Sequence, residues 1–97
     1  MNKNVNIAIQ IVPQSKDVDA YAIVDSAISV IEQSGVKYRV TPFETVMEGE
    51  YSELMKIVEK VQEVCYSAGA DSMLCYLKIQ SNATKDVTIL DKMEKYD

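Results

Sequence analysis

The sequence predicts an α+β domain in which a four-stranded antiparallel sheet is backed by two helices. Two stretches of alternating apolar residues, one near each end of the chain, have the period of a β-strand. Two stretches with apolar residues three and four positions apart lie between them and have the period of an amphipathic helix. Two short runs rich in β-forming residues separate these helices.

The first strand and the first helix are predicted from the N-terminal third of the chain. Residues 5–12 alternate, and Pro13 is expected to end the strand because proline cannot donate to a sheet ladder. Ser15 or Asp17 is predicted to cap the following helix, with Asp19 adding a favourable negative charge to its first turn. Gly35 is predicted to end that helix by adopting a left-handed conformation.

The middle of the chain is predicted to form a hairpin and a second helix. Residues 36–40 and 45–48 are expected to be short strands joined by a turn at Pro42-Phe43-Glu44. Beyond Gly49, apolar residues recur at helical spacing as far as Gly69, where the second helix is expected to end.

The C-terminal third is predicted to hold the last strand, over 72–80, and a tail helix over about 84–96 capped by Thr84. The order strand, helix, strand, strand, helix, strand is that of the ferredoxin-like βαββαβ fold, in which right-handed crossovers place both helices on one face of the sheet. The sequence shows no internal repeat or linker, so residues 1–97 are expected to form a single domain.

The sheet face that points away from the helices is predicted to be too apolar to be fully solvated, and exposed patches of this kind mark contacts between proteins. That face would present Asn6, Ala8, Gln10, Val12, Leu74 and Tyr76. Two arrangements would cover it. Subunits of a homo-oligomer could pack sheet against sheet with their tails crossing, or each tail could fold back over its own sheet.

Composition narrows the function further. A net charge of -5 argues against nucleic-acid binding, which needs a basic surface. No apolar run approaches the roughly 20 residues that span a bilayer, and no apolar block of a signal peptide precedes the first strand, so we expect a cytoplasmic protein without a membrane partner. The chain has no histidine, the commonest member of catalytic triads and zinc sites, and no metal or cofactor is expected. Cys65 and Cys75 lack CxxC spacing and are expected to be reduced packing residues.

Several short motifs occur in an order that resembles a known family. They are Ser34-Gly35-Val36-Lys37-Tyr38, then Thr45-Val46-Met47-Glu48-Gly49-Glu50, then Gly69-Ala70, and then the strand with Leu77-Lys78-Ile79 near its end. In these positions the chain is similar to the small thiamine-binding proteins, which are ferredoxin-like domains of about this length. The resemblance implies a homo-oligomer, most simply a tetramer made of two dimers joined through their sheets, that binds thiamine or its pyrimidine portion without chemistry. The family commonly has acidic residues and an arginine after the last strand, where this chain has Gln80-Ser81-Asn82.

Six residues are candidates for contact with such a ligand: Gln10, Tyr38, Thr41, Phe43, Thr45 and Glu48. Thiamine joins a cationic thiazolium to an aminopyrimidine, so a site needs an aromatic face or a carboxylate for the cation and hydrogen-bonding groups for the pyrimidine. Phe43 or Tyr38 could supply the face and Glu48 the charge. The hydrogen bonds could come from Thr41, Thr45 and Gln10.

Each of these residues also has a purely structural interpretation. Phe43 could be a packing plug, the threonines suit strands in any case, and Glu48 could favour the start of the second helix. Thr45 and Glu48 alternate to opposite faces of their strand, so they cannot share one pocket without a twist or a bulge.

The predicted function is therefore non-catalytic binding of thiamine or its pyrimidine moiety for storage, sequestration or delivery. An enzyme is not expected, because Glu48 and Glu50 need not converge as a pair of carboxylates. The alternative is an oligomeric regulatory module that binds an amino acid or another small metabolite. A purely structural interaction protein is a third interpretation.

Overall fold

The computed structural model describes residues 2–97 and shows the ferredoxin-like fold predicted from the sequence. The strands are β1 (Val5–Gln14), β2 (Lys37–Val40), β3 (Thr45–Gly49) and β4 (Ser72–Gln80), and the helices are α1 (Ala20–Gln33), α2 (Tyr51–Ser67) and α3 (Ile89–Met93), with a 3-10 turn at Glu94–Tyr96. The strands form one antiparallel sheet in the order β2-β3-β1-β4.

The hydrophobic core lies between one face of this sheet and the helices α1 and α2. Alternate residues of β1 and β3 point into it, as the period of two predicts, and the helices contribute the apolar stripes expected from their spacing. Its most deeply buried side chains are Val5, Ile7, Ile23, Ile31, Met47, Leu54, Val61 and Cys65. Burial raises the pKa of the Cys65 and Cys75 thiols, and for Cys65 the neighbouring Cys75 adds to the effect. Both cysteines are free, as predicted.

Strand β1 continues through Pro13, so the prediction that this proline ends the strand is wrong. Pro13 pairs with Met73 of β4, whereas the pairing of β1 with β3 stops at Ile9 and Thr45. Beyond Ile9, β1 is therefore an edge strand on its β3 side. A proline without an N–H donor is tolerated at an edge.

Helix α1 is capped by Asp19, not by Ser15 or Asp17 as predicted. The Asp19 side chain accepts a hydrogen bond from the backbone N–H of Tyr21. The Ser15 hydroxyl instead donates to the carbonyl oxygen of Gly69, over 2.8 Å, and accepts from the N–H of Val18. Ser15 thus joins the entrance of α1 to the end of α2, a long-range contact that replaces the local cap.

The tail forms a shorter helix than the predicted 84–96. The Asn82 side chain accepts from the N–H groups of Thr84 and Lys85 and closes a turn there. Val87 is buried, and its N–H donates to the carbonyl oxygen of Asn4, which holds this part of the tail against the start of β1. The helix α3 begins only at Ile89, after the cap Thr88.

Residues 82–97, which we call the strap, fold back across the open face of the sheet. The Asn6 side-chain amide of β1 donates to the carbonyl oxygen of Val87, over 2.9 Å. The N–H of Ile89 donates to Oε1 of Glu48 in β3, over 2.7 Å.

At the far edge of the sheet, the strap ends in a bidentate ion pair between Asp97 and Arg39 of β2, with distances of 2.6 and 2.8 Å. The hydrogen bond from Arg39 lowers the pKa of the Asp97 carboxyl, and burial opposes this only in part. The tail of this chain therefore covers its own sheet, which is the second of the two arrangements considered above. The cover is partial, because Leu74 and Tyr76 are still 54% and 53% exposed.

None of the helices formed by residues 2–97 is long and apolar enough to cross a membrane.

Candidate ligand-binding cleft

A cleft opens between helix α1 and the turn that joins β2 to β3, beside the point where the pairing of β1 with β3 stops. Its volume is about 90 Å³. The floor is apolar and comes mainly from the helices. The floor residues are Val24, Ala27, Ile28, Ile31 and Val61.

One side of the cleft is a strand edge without a partner. The ladder between β1 and β3 ends at the pair Ile9 and Thr45, yet β1 continues and still pairs with β4 on its other side. Gln10 and Ile11 therefore line the cleft with their β3-facing backbone edge unpaired. An unpaired strand edge offers N–H donors and C=O acceptors to whatever lies beside it.

The opposite side is the turn between β2 and β3, which Thr41 and Glu44 hold together. The N–H and the hydroxyl of Thr41 both donate to the carbonyl oxygen of Glu44, over 2.9 and 2.6 Å. The N–H of Glu44 donates back to the Thr41 hydroxyl, over 3.1 Å. The hydroxyl of Thr41 is thus engaged in the turn, and this residue shapes the cleft.

Thr45 offers a hydroxyl to the cleft. Its side chain is on the helix-facing side of β3, opposite Ile9, and only 5% of the residue is exposed. Within residues 2–97, the one fully enclosed side-chain polar atom that lacks a hydrogen-bond partner is Oδ1 of Asn6, on the other face of the sheet. The Thr45 hydroxyl makes no side-chain hydrogen bond within residues 2–97, and it is not among the fully enclosed atoms that lack a partner. It is therefore accessible from the cleft.

Phe43 stands at the mouth of the cleft and is 80% exposed. A phenyl ring that served as a packing plug would be buried, so the structure does not support that interpretation. The ring offers an aromatic surface beside the opening, on which a flat or cationic ligand can stack.

The structure brings four of the six candidate residues together and places two elsewhere. Gln10, Thr41, Phe43 and Thr45 line the cleft, Gln10 with its backbone edge, because its side chain alternates to the open face of the sheet. Tyr38 lies further along β2, and Glu48 is on the open face of the sheet, as its alternation with Thr45 predicts. The Glu48 carboxylate is 8% exposed there and holds the strap, with the Lys37 ammonium 3.8 Å away.

Sequence reasoning missed Glu44, whose backbone lines the cleft between Thr41 and Thr45. We assigned it to the turn alone and looked for a carboxylate within β3 instead. The signal was available, because a residue just before Thr45 belongs to the end of the hairpin where the cleft opens. The Glu44 side chain lies on the open face of the sheet, where it is 21% exposed and its Oε1 lies 2.9 Å from the ammonium of Lys78.

The arrangement suits a small ring better than a large molecule. About 90 Å³ is well below the roughly 300 Å³ at which pockets for whole drug-sized ligands begin. An apolar floor, an unpaired backbone edge and a hydroxyl would hold a flat heterocycle that carries adjacent donors and acceptors. The rest of such a ligand would extend past Phe43.

Comparison with known proteins places the chain among relatives of its own size. The sequence model of the family described as thiamine-binding protein matches residues 7–97. The chain belongs to the thiamine-binding protein family. A UPF0045 protein of Clostridium perfringens is 41% identical over 91 residues, which cover 94% of this chain and 95% of the relative. A UPF0045 protein of Bacillus subtilis is 28% identical over 88 residues, with coverage of 89% and 85%.

Two solved structures of family size share the fold. A domain of unknown function from Bacillus cereus superposes with a TM-score of 0.93 at 40% identity and covers 98% of this chain and 91% of that one. A protein of Thermotoga maritima, provisionally assigned to thiamine biosynthesis or salvage, superposes with a TM-score of 0.88 at 32% identity and covers 97% and 99%.

Proposed function

We propose that this protein binds thiamine or its pyrimidine moiety without chemistry, in the cleft between α1 and the β2–β3 turn. The observation that carries the proposal is the unpaired edge of β1 at Gln10 and Ile11, next to the Thr45 hydroxyl. An aminopyrimidine has an amino donor beside a ring-nitrogen acceptor, the same pairing that a strand edge presents. Membership of the thiamine-binding protein family supports this ligand over other flat heterocycles.

Binding without catalysis is supported by the groups in the cleft. Among residues 2–97, Glu44 is the only ionisable residue that lines it, and its carboxylate points away, to the open face of the sheet, where it is paired with Lys78. General acid–base catalysis works through a positioned group that is free to exchange a proton with the substrate. Storage, sequestration or delivery of the ligand fits these groups better than its conversion does.

The proposed assembly is a cytoplasmic homo-oligomer, most simply a tetramer made of two dimers. Two observations support it. Leu74 and Tyr76 leave an apolar area beside the strap, and the cleft is too small to enclose a whole thiamine, with Phe43 exposed at its mouth. A neighbouring subunit that packs near Phe43 would complete the site.

Light scattering tests the assembly, since a mass near 10.9 kDa would contradict it. Tyr76→Glu should weaken the assembly by placing a charge in a desolvated interface. An unchanged oligomer after that substitution would return Tyr76 to the solvated surface.

Calorimetric titration with thiamine and with hydroxymethylpyrimidine tests the binding. Thr45→Val keeps the shape of the side chain and removes the hydroxyl, and loss of one hydrogen bond to a buried group should weaken binding by about 5- to 150-fold, or about 1–3 kcal/mol. The melting temperature should hardly change, because the Thr45 hydroxyl makes no side-chain hydrogen bond within residues 2–97. Thr84→Val, in the exposed strap, is the matched control and should bind as the wild type does.

Equal affinities for Thr45→Val and the wild type would move the site away from this cleft. If the wild type shows no heat with either ligand, the proposed function is wrong. A panel of amino acids would then test the alternative of a regulatory module.

A further inference from the structure

The backbone of β1 faces the cleft with its odd-numbered residues, and Pro13 shows this. In an antiparallel ladder, pairs that exchange N–H···O=C bonds alternate with pairs that do not, and the backbone groups of the latter point to the other side of the strand. Pro13 has no N–H, so its pair with Met73 of β4 is of the second kind. On the even-numbered side, the carbonyl oxygen of Gln14 accepts the N–H of Asp71, just before β4, over 2.7 Å. The odd-numbered residues of β1 therefore direct their N–H and C=O groups away from β4, towards β3 and the cleft.

Ile11 is the odd-numbered residue beside which β3 is missing. The pairing of β1 with β3 ends at Ile9 and Thr45. The same register continued by two residues would place Ile11 opposite Phe43. That pair does not form, because the chain turns away at residues 41–44 and Phe43 lies exposed at the mouth of the cleft. Within residues 2–97, no strand or turn supplies a partner for the N–H or the C=O of Ile11, which lines the cleft.

A flat ring can take the place of the missing pair. The N–H and the C=O of one strand residue point the same way, so a molecule that satisfies both must carry an acceptor beside a donor in one plane. In an aminopyrimidine, a ring nitrogen that accepts stands next to an amino group that donates. The floor of the cleft is apolar and suits the face of such a ring. A ring that lacked either group would leave one backbone group of Ile11 without a partner.

We infer that Ile11 recognises the ligand through its backbone: its N–H donates to the ring nitrogen next to the amino group, and its C=O accepts from that amino group. This inference rests on the proposed function and narrows the ligand to flat rings with an amino donor beside an acceptor nitrogen. The side chain of Ile11 packs against the core and takes no part in this recognition.

Amide hydrogen exchange followed by NMR tests the N–H directly in the wild-type protein. The N–H of Ile11 should exchange fast in the free protein. With hydroxymethylpyrimidine at about one hundred times its Kd, exchange at Ile11 should slow by roughly 10- to 100-fold, since only the unliganded fraction still exchanges. The N–H of Ser52, in the first turn of α2 where no side chain caps the helix, does not line the cleft. It is the matched control and should exchange fast in both states.

Calorimetry with a ligand analogue tests the C=O. The desamino analogue of hydroxymethylpyrimidine keeps the ring nitrogen and loses the donor, so the C=O of Ile11 is left without a partner. The wild type should bind this analogue about 5- to 150-fold more weakly than hydroxymethylpyrimidine, as expected for one lost hydrogen bond. Thiamine is titrated in parallel as the reference ligand for the proposed function.

The substitution Ile11→Pro removes the N–H that faces the cleft. This edge tolerates a proline, since Pro13 already lies two residues further along on the same side. Ile11→Ala keeps the N–H and measures what loss of the side chain alone costs. Ile11→Pro should bind hydroxymethylpyrimidine at least about fivefold more weakly than Ile11→Ala does. A melting curve for each variant checks that it is folded.

The outcomes separate the inference from the function on which it rests. If thiamine and hydroxymethylpyrimidine bind, but exchange at Ile11 stays fast or the desamino analogue binds equally well, recognition by Ile11 is wrong and the proposed function stands. Equal affinities of folded Ile11→Pro and Ile11→Ala also overturn the inference. Should Ile11→Pro not fold, the two wild-type measurements decide. If neither thiamine nor hydroxymethylpyrimidine binds, both fail.

Discussion

Replacement of Glu48 decides between two roles for its carboxylate. The sequence alone suggested a partner for the ligand's positive charge, whereas in the structure the carboxylate accepts the N–H of Ile89 over 2.7 Å and anchors the strap. The two roles predict different results for Glu48→Ala, because the anchor lies on the opposite face of β3 from Thr45 and the cleft.

The size of the effect follows from the hydrogen bond. A bond to a charged acceptor that is 8% exposed contributes about 1.5–3 kcal/mol. The ion pair with Lys37 adds little, because that lysine is 83% exposed. Loss of the hydrogen bond should therefore speed amide exchange in the strap, measured at Val87, by roughly 10- to 150-fold. If the strap unfolds together with the domain, the melting temperature should fall by roughly 6–24 °C.

Hydrogen exchange followed by NMR and calorimetric titration with thiamine form the assay. Glu48→Ala should release the strap and leave the affinity for thiamine within about twofold. Glu48→Gln keeps an acceptor oxygen without the charge and should lie between the wild type and Glu48→Ala. Glu63→Ala, an exposed change on α2, should stay within about 0.5 kcal/mol of the wild type. A tenfold loss of affinity with unchanged exchange at Val87 would refute the anchor and restore Glu48 to the ligand site.

Two further predictions concern the end of α2 and the end of the strap. Gly69→Ala should cost more stability than Gly35→Ala. Both glycines have positive φ, which costs alanine about 1–2 kcal/mol, but only at Gly69 would the new Cβ lie 2.7 Å from a methyl group of Val18. Equal unfolding midpoints in urea would contradict the close approach. The Asp97 carboxyl should titrate below the usual range for aspartate in an NMR pH titration. Its lowered pKa means that the ion pair with Arg39 contributes above the pKa of the unfolded chain and is lost as the pH falls through the folded value, and Arg39→Met should return the titration to normal.

Much of the fold could be predicted from local patterns. Each of β1, β4, α1 and α2 buries one face, and this shows as alternation in the strands and as apolar stripes in the helices. These patterns can be recognised in each stretch without knowledge of the others. Gly35 and Gly69 both have positive φ and end their helices as predicted, because a left-handed residue at such a position favours glycine.

The wrong predictions share one cause: contacts between residues far apart in sequence. Whether Pro13 ends a strand depends on where β3 stops, since a proline at an edge costs no ladder hydrogen bond. Ser15 is drawn to Gly69, more than fifty positions away, and the cap passes to Asp19. No local pattern records either fact.

The candidate site could be predicted only in part for a related reason. The hairpin end was recognisable, so Thr41, Phe43 and Thr45 were found. Glu48 was predicted beside them because of its motif, although the period of two places its side chain on the other face of β3, where it accepts a hydrogen bond from the strap. The contribution of Gln10 depends on how far β1 extends past β3, which is a property of the assembled sheet.

Mapping of amide chemical shifts during a titration with thiamine tests the proposed binding most directly, because it shows both whether the ligand binds and where. We expect the largest changes at Ile11, Phe43 and Thr45, which surround the cleft, and small changes at Val87 and Ile89 in the strap. A spectrum that does not change, or changes confined to the strap and the open face of the sheet, would contradict binding in this cleft.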